Sequence, residues 1–195
     1  VIDPACGFGN VLAMCSTLFS GARLTGMDID EANVEIATHR FEMGHGRRTA
    51  QFVSGDLFEV GCGHLHRYDG AVLQPPWGLL RRQGAVLNWS SLGLDASRLP
   101  KGSTRTDLGW LDVARRFLAP EGRAAVLLPR LPGGGLHEQA IDRLLSLGVI
   151  EAVIAFPQNV VGSTSIAANL VVVCGDGLAD AAAPILFADA GALEL

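Results

Sequence analysis

The stretch of this chain best suited to chemistry is Gln74-Pro75-Pro76-Trp77, which directly follows an apolar run at residues 71–73. Proline fixes its own φ, donates no hydrogen bond and pushes the residue before it into extended geometry. The sequence therefore predicts a rigid turn at the end of a strand, which holds the Gln74 amide and the Trp77 ring in set positions. A hydrogen-bond acceptor beside a flat ring can grip the amino group of a planar base.

Three acidic residues each follow a different predicted strand: Asp3, Asp28 and Asp56. Asp3 precedes a glycine turn, Gly7-Phe8-Gly9, where a ligand could approach the backbone closely. A carboxylate about 20 positions after such a turn suits ribose hydroxyls, and ligands of open α/β sheets bind at the carboxyl ends of the strands. Each acid alone could be a helix cap or a turn former. Together they predict a nucleotide-like cofactor site, with Asp56 accepting from an adenine amine.

The elements that must position these residues alternate between strands and helices. Apolar strands that do not alternate with polar residues indicate a mainly parallel sheet covered on both faces. No helix separates the last two predicted strands, so we expect one antiparallel strand at or near an edge. The predicted strands are residues 1–2, 23–27, 51–53, 71–73, 123–128, 149–155 and 169–173, and the predicted helices are 10–18, 31–43 (with Asp30 as N-cap), 107–118 and 136–147.

The composition favours one folded α/β domain. The chain has 195 residues, of which 49% are hydrophobic, and this composition argues against a disordered protein. No apolar run reaches the roughly 18 residues needed to span a bilayer, and no signal peptide is visible. The chain opens on Val1 without a start methionine, so we expect a fragment whose upstream part is missing.

Charge is distributed unevenly along the chain. The net charge of −5 argues against a generic nucleic-acid coat, yet residues 79–106 carry five basic side chains against one acidic side chain. Such a segment could contact phosphates, or it could be a solvated loop.

The four cysteines, at positions 6, 15, 62 and 174, show no CxxC spacing. We predict no metal site at Cys62, His64 and His66, and we expect reduced, mostly buried thiols in a cytoplasmic protein.

Five ordered motifs resemble the adenine-N6 DNA methyltransferases, above all the modification subunits of type I restriction–modification systems. The match covers residues 1 to about 175, and a later stretch, 150–166, also resembles that family. The motifs are Asp3-Pro4-Ala5-Cys6-Gly7-Phe8-Gly9, Gly26-Met27-Asp28-Ile29-Asp30, Gly55-Asp56-Leu57-Phe58, Gln74-Pro75-Pro76-Trp77-Gly78 and residues 122–129. The resemblance implies a doubly wound, seven-stranded-type, Rossmann-like fold of class I S-adenosylmethionine-dependent methyltransferases. We expect this core at 1–175 and a C-terminal extension at 176–195.

The resemblance also implies roles for individual residues. The amino-acid end of S-adenosylmethionine would lie on Asp3 and the glycine turn, its ribose on Asp28, and its adenine on Asp56 and Leu57. Gln74 and the Pro75 carbonyl would accept hydrogen bonds from the exocyclic amine of a target adenine, and Trp77 would stack on that base after it is flipped out of the duplex. The implied cofactor-binding residues are Asp3, Ala5, Cys6, Gly7, Gly9, Asp28, Ile29, Asp56 and Leu57, and the implied catalytic residues are Gln74, Pro75, Pro76 and Trp77.

Three functions remain in competition. The first is an adenine-specific DNA methyltransferase that works with a specificity subunit, with a nuclease subunit as a further candidate partner. The second is a catalytically weakened relative that still binds the cofactor, because Gln74 stands where the family has Asn or Asp and no aromatic residue lies near Val160 and Val161. The third is a methyltransferase that acts on a protein glutamine or on RNA.

Overall fold

The computed structural model describes residues 1–44, 50–55, 67–77, 107–130, 136–161 and 165–192. These residues form one mixed sheet with helices on both of its faces. The strands are β1 (Ile2–Asp3), β2 (Leu24–Asp28), β3 (Ala50–Ser54), β4 (Tyr68–Leu73), β5 (Leu118–Pro129), β6 (Ile150–Phe156), β7 (Ala168–Cys174) and β8 (Leu186–Asp189). The helices are α1 (Asn10–Leu18), α2 (Glu31–Gly44), α3 (Gly109–Phe117) and α4 (Leu136–Ser146), and a 3₁₀ turn covers Ala190–Ala192.

The strand order is β3-β2-β1-β4-β5-β7-β6-β8. All neighbouring strands run parallel except β7, which is antiparallel to both β5 and β6. The predicted α/β fold with an antiparallel strand is therefore confirmed. The antiparallel strand lies two strands in from the edge, because β8 adds an outer strand beside β6.

β8 belongs to the stretch predicted as a C-terminal extension, residues 176–195. Its four residues are all exposed, and Ala152 to Ala155 of β6 pair with them in register. The apolar run Ile185-Leu186-Phe187 after Pro184 was the available sequence signal for this strand. An apolar run this short is a weak sequence signal for a strand. The strand forms because it pairs with β6.

Two hydrophobic layers flank the sheet. On one face Ala124, Val126 and Leu128 of β5 are nearly or fully buried in a core that α3 and α4 share. On the other face Leu12 and Cys15 of α1 pack with Phe41 of α2 in a second cluster. Alternate residues of β5 therefore point to opposite sides, as strand geometry requires. Within the described ranges, no helix is both long and apolar enough to cross a membrane.

Candidate functional site

The candidate site lies where the strand order reverses, between β1 and β4. β1 pairs in parallel with both β2 and β4. From β1 the chain builds β2 and β3 on one side, and then continues with β4 on the other side. Crevices at the carboxyl ends of strands beside such a reversal are the common ligand sites of open α/β sheets. The glycine turn after β1 and the Pro-Pro turn after β4 therefore meet at one edge of the sheet, as the sequence predicts.

The glycine turn after β1 depends on backbone that other residues rarely adopt. Gly7 has φ 50° and Gly9 has φ 74°, both in the left-handed region. A Cβ on Gly9 would lie 3.3 Å from the Phe41 ring and 3.4 Å from the Phe52 ring, so this glycine packs closely against α2 and β3. A Cβ on Gly7 would meet no atom within 4 Å. Gly9 thus fits the interior, whereas Gly7 borders open space that a ligand could fill.

Asp28 clamps the glycine turn to the end of β2. Its Oδ2 accepts a hydrogen bond from the Gly7 N–H at 2.8 Å, and its Oδ1 accepts from the Asp30 N–H at 2.9 Å and from Asn33 Nδ2 at 3.1 Å. Each carboxylate oxygen can accept about two hydrogen bonds. Oδ2 therefore keeps room for one further donor, and that donor would reach it beside Gly7.

Asn33 is a residue of this site that sequence reasoning missed. It lies in the first turn of α2, five positions after Asp28, and its amide orients the Asp28 carboxylate. The predicted N-cap Asp30 is confirmed, since its Oδ1 accepts from the Ala32 N–H at 3.0 Å. The capping signal placed the start of α2 correctly, and that start brings Asn33 back over the end of β2.

Asp3 lies inside the protein rather than on its surface. Its side chain is 1% exposed, and its Oδ1 accepts a hydrogen bond from the Ala5 N–H at 3.1 Å. Burial raises the pKa of this carboxyl to about 7, the Ala5 N–H works against that rise, and the nearby charge of Asp28 adds to it. In this conformation Asp3 stabilises the glycine turn from the interior, through its bond to the Ala5 N–H.

This burial makes folding stability depend on pH in a specific direction. The unfolded Asp3 carboxyl ionises near 3.8 and the folded one near 7, so its contribution to stability is complete below pH 3.8 and is lost as the pH rises through 7. Between pH 5.5 and 8.5 we expect the wild type to lose about 2 kcal/mol of unfolding free energy relative to Asp3→Asn. Urea unfolding of both proteins at the two pH values measures this. Parallel pH profiles would contradict it, and Asp30→Asn at an exposed position is the control.

The described cysteines are structural. Cys6, Cys15 and Cys174 are free and buried, which confirms the expected burial for these three. Burial raises the pKa of the Cys6 thiol to about 12, and the charges of Asp3 and Asp28 add to the effect. Cys6 therefore stays protonated near neutral pH and cannot act there as a nucleophile. Its N–H donates to the Met27 carbonyl at 2.8 Å, which fastens the glycine turn to β2.

Exposed and buried residues alternate along the Pro-Pro turn after β4. Gln74 and Pro76 are exposed, Pro75 is buried, and Trp77 is half-buried. The Trp77 indole Nε1 donates a hydrogen bond of 3.0 Å to the Leu127 carbonyl of β5. β4 ends one residue short of pairing with Leu127, so the indole takes an acceptor that a longer β4 would occupy. Trp77 is therefore held at one end by the sheet, while the Gln74 amide faces solvent.

Several predicted residues lie outside the described part of the chain. They are Asp56 and Leu57, the whole basic segment 79–106, and the group Cys62, His64 and His66. Across the described ranges, no group of three or more His, Cys, Asp and Glu side chains is placed to hold a metal ion. Asp3, Ala5, Cys6, Gly7, Gly9, Asp28 and Ile29 do come together along the carboxyl ends of β1 and β2.

The strand order and the two turns define the fold of the S-adenosylmethionine-dependent methyltransferases. A class I S-adenosylmethionine-dependent methyltransferase from Listeria monocytogenes superposes with a TM-score of 0.73 at 18% identity, over 96% of this chain and 57% of that one. The chain belongs to the N-6 DNA Methylase family, which it matches over residues 1–194. The predicted family is thereby confirmed. A search of the curated proteins finds no match.

Two further solved structures share the fold. The type I restriction–modification methyltransferase subunit from Streptococcus thermophilus has a TM-score of 0.75 at 18% identity, over 89% of this chain and 39% of that one. A modification subunit of a type I restriction enzyme from Vibrio vulnificus has a TM-score of 0.64 at 20% identity, over 89% of this chain and 40% of that one. The chain therefore spans about two fifths of the length of these subunits.

Proposed function

We propose that this chain is the catalytic core of an S-adenosylmethionine-dependent DNA methyltransferase that modifies the exocyclic amine of adenine. The observation that carries the proposal is the Gln74-Pro75-Pro76-Trp77 turn, which lies at the carboxyl end of β4 directly beside the glycine turn of β1. A base-holding turn and a cofactor turn on neighbouring strands would bring methyl donor and acceptor together. Family membership supports the same reaction.

The residues beside β1 and β2 fit S-adenosylmethionine. Gly7 borders open space, Asp28 Oδ2 has room for one more donor, and Ile29 next to it is 72% exposed. A ribose hydroxyl could therefore reach Asp28, and Ile29 offers an apolar surface at the same place. The amino-acid end would lie on Ala5 and Gly7, in a turn that the interior residues Asp3, Cys6 and Gly9 shape. Asp28 and Ile29 would hold the ribose, and Asp56 and Leu57 the adenine. When bound, the cofactor supplies an electrophilic sulfonium methyl group.

The turn after β4 would orient the amine that receives the methyl group. Gln74 offers a carbonyl oxygen and no basic group, so it can accept a hydrogen bond from the amine without taking a proton at neutral pH. The Pro75 carbonyl would provide a second acceptor, and Pro76 keeps the turn rigid. Two acceptors would hold the nitrogen lone pair toward the methyl donor. The Trp77 ring, tied to Leu127, would form the surface on which the base stacks.

DNA and further subunits are the proposed partners. The solved structures that share this fold include type I restriction–modification subunits, and the basic segment 79–106 begins two positions after Trp77 in the sequence. That segment could contact the DNA backbone next to the flipped base. A specificity subunit would then choose the sequence, with a nuclease subunit as a further partner, in the cytoplasm.

Gln74 supports a second candidate, a relative that binds the cofactor but transfers methyl groups slowly. Gln is one methylene longer than Asn, and a displacement of about 1 Å can lower a rate on the order of 100-fold. The exposed Gln74 side chain has no hydrogen bond to the described residues that would set its amide for the amine.

The deciding experiment is transfer of a labelled methyl group from S-adenosylmethionine to DNA by the intact protein with its partner subunits. Label on adenine is expected, and DNA whose adenines already carry the N6-methyl group should accept none. Labelled protein or RNA in place of DNA would contradict the proposal. If Gln74→Asn raises transfer by about 100-fold at unchanged cofactor affinity, the slow relative is the correct description.

A further inference from the structure

Arg130 stands at the carboxyl end of β5, beyond the point where β4 ends. Leu73, the last residue of β4, pairs with Val126, and β5 continues to Pro129. The Arg130 N–H then donates to the Ala167 carbonyl at 2.7 Å, just before β7. This bond fixes the Arg130 backbone at the edge of the sheet where the Pro-Pro turn also lies.

The Arg130 side chain is exposed and makes no hydrogen bond or ion pair with the described parts of the chain. Three arginines on α3 and β5 are paired with carboxylates. Arg115 pairs with Asp176, Arg116 with Asp112 at 2.6 Å, and Arg123 with Glu151 at 2.8 Å. With no carboxylate partner among the described residues, the Arg130 guanidinium is available for an anion from outside the protein, and its planar donors match phosphate oxygens.

The position of Arg130 relative to Trp77 favours a DNA backbone phosphate as the anion. Trp77 is bonded to the carbonyl of Leu127, and Arg130 follows three residues later on the same strand end. At the rise of a strand, this separation is about 10 Å. A base held at Trp77 would therefore bring backbone phosphates of its own strand within reach of Arg130.

We propose that Arg130 binds a DNA backbone phosphate near the base that Trp77 receives. The proposal rests on the proposed function, because it takes Trp77 as the surface for the flipped base. Arg130 would position the strand and carry no sequence information, as phosphate contacts generally do. It would act on DNA and leave the cofactor turn unaffected, since it follows β5 rather than β1 or β2.

The test is the salt dependence of DNA binding by the intact protein. A labelled DNA duplex of mixed sequence is titrated by fluorescence anisotropy at a series of NaCl concentrations. Arg130→Gln should reduce the slope of log affinity against log salt by about 0.9, and should weaken binding roughly fivefold near 0.15 M salt. Arg130→Lys should restore most of both values, because a lysine ammonium also binds phosphate. Cofactor affinity should stay unchanged in both variants.

Arg143→Gln is the matched control. Arg143 is an exposed arginine near the end of α4, which leads back to the amino end of β6, so it lies away from the edge with the two turns. Its removal should leave the slope unchanged. If Arg130→Gln binds DNA with the wild-type slope and affinity, the Arg130 contact is wrong while the proposed function stands. If the wild-type protein binds DNA but leaves its adenines unmethylated, the proposed function fails while a reduced slope in Arg130→Gln still supports the phosphate contact.

Discussion

Replacing Trp77 by alanine is expected to lower kcat/KM for methyl transfer to DNA about 100-fold, with cofactor affinity nearly unchanged. Stacking of a base on an aromatic side chain contributes about 1–3 kcal/mol, which corresponds to roughly 5- to 150-fold. The ring is held through its Nε1 bond to the Leu127 carbonyl, so it forms a preset surface that would not have to be ordered when the base arrives. The Trp77 ring is bonded to β5, whereas Gly7 and Asp28 are bonded to each other at the ends of β1 and β2, so cofactor binding should be preserved.

Trp77→Phe separates the ring from its anchor. Phenylalanine keeps an aromatic face but loses the indole N–H, so the Leu127 carbonyl loses its donor and the ring loses its fixed end. We expect a loss of about tenfold, between the wild type and the alanine variant. Phe187→Ala is the control, since this aromatic residue of β8 is 72% exposed and lies at the far edge of the sheet. Equal losses in turnover and in cofactor affinity would count against stacking.

Replacing Asp28 by alanine is expected to weaken S-adenosylmethionine binding about 100-fold. Two effects add up. A ribose hydroxyl would lose a charged acceptor, which contributes about 1.5–3 kcal/mol for a bond of this type. In addition, the Gly7 N–H would lose its 2.8 Å bond, and the turn that should enclose the amino-acid end would lose its link to β2. Titration calorimetry with the cofactor measures the change, and an affinity equal to that of the wild type would exclude the ribose role.

Two further variants test whether the loss of cofactor affinity in Asp28→Ala comes from the carboxylate itself or from the surrounding structure. Asn33→Ala removes one donor to Oδ1 and keeps the carboxylate, so a loss of only a few fold in cofactor affinity is expected, about that of one partly buried hydrogen bond. Asp30→Ala removes a neighbouring acid whose side chain caps α2, and it should lower helix stability with little effect on the cofactor. If Asp30→Ala weakens cofactor binding as much as Asp28→Ala does, local unfolding rather than a ribose contact explains both results.

Most of the fold could be predicted from the sequence, because its signals are local. Apolar runs, glycine and proline placed seven strands and four helices within a few residues of their observed bounds, and Asp30 marked the start of α2. β5 begins at Leu118 rather than at 123, since the stretch from Ala119 to Gly122 bulges out between two pairings with β4. β8 was missed because a four-residue exposed strand depends on its partner β6.

In the candidate site, too, the local features could be predicted from the sequence. The chain alone determined the turn at Gly7 and Gly9 and the rigidity of Pro75 and Pro76, since glycine and proline act on their own backbone. It also determined the family, through motifs whose order is written in the sequence.

Only the tertiary structure decided how these parts are joined. The Gly7 N–H bonds a carboxylate 21 positions away, and the Trp77 indole bonds a carbonyl 50 positions away. The burial that raises the pKa of Asp3 to about 7 and the exposed position of Arg130 also depend on what the other strands bring nearby. Such contacts join distant segments through the register of the sheet, and no local pattern of residues records that register.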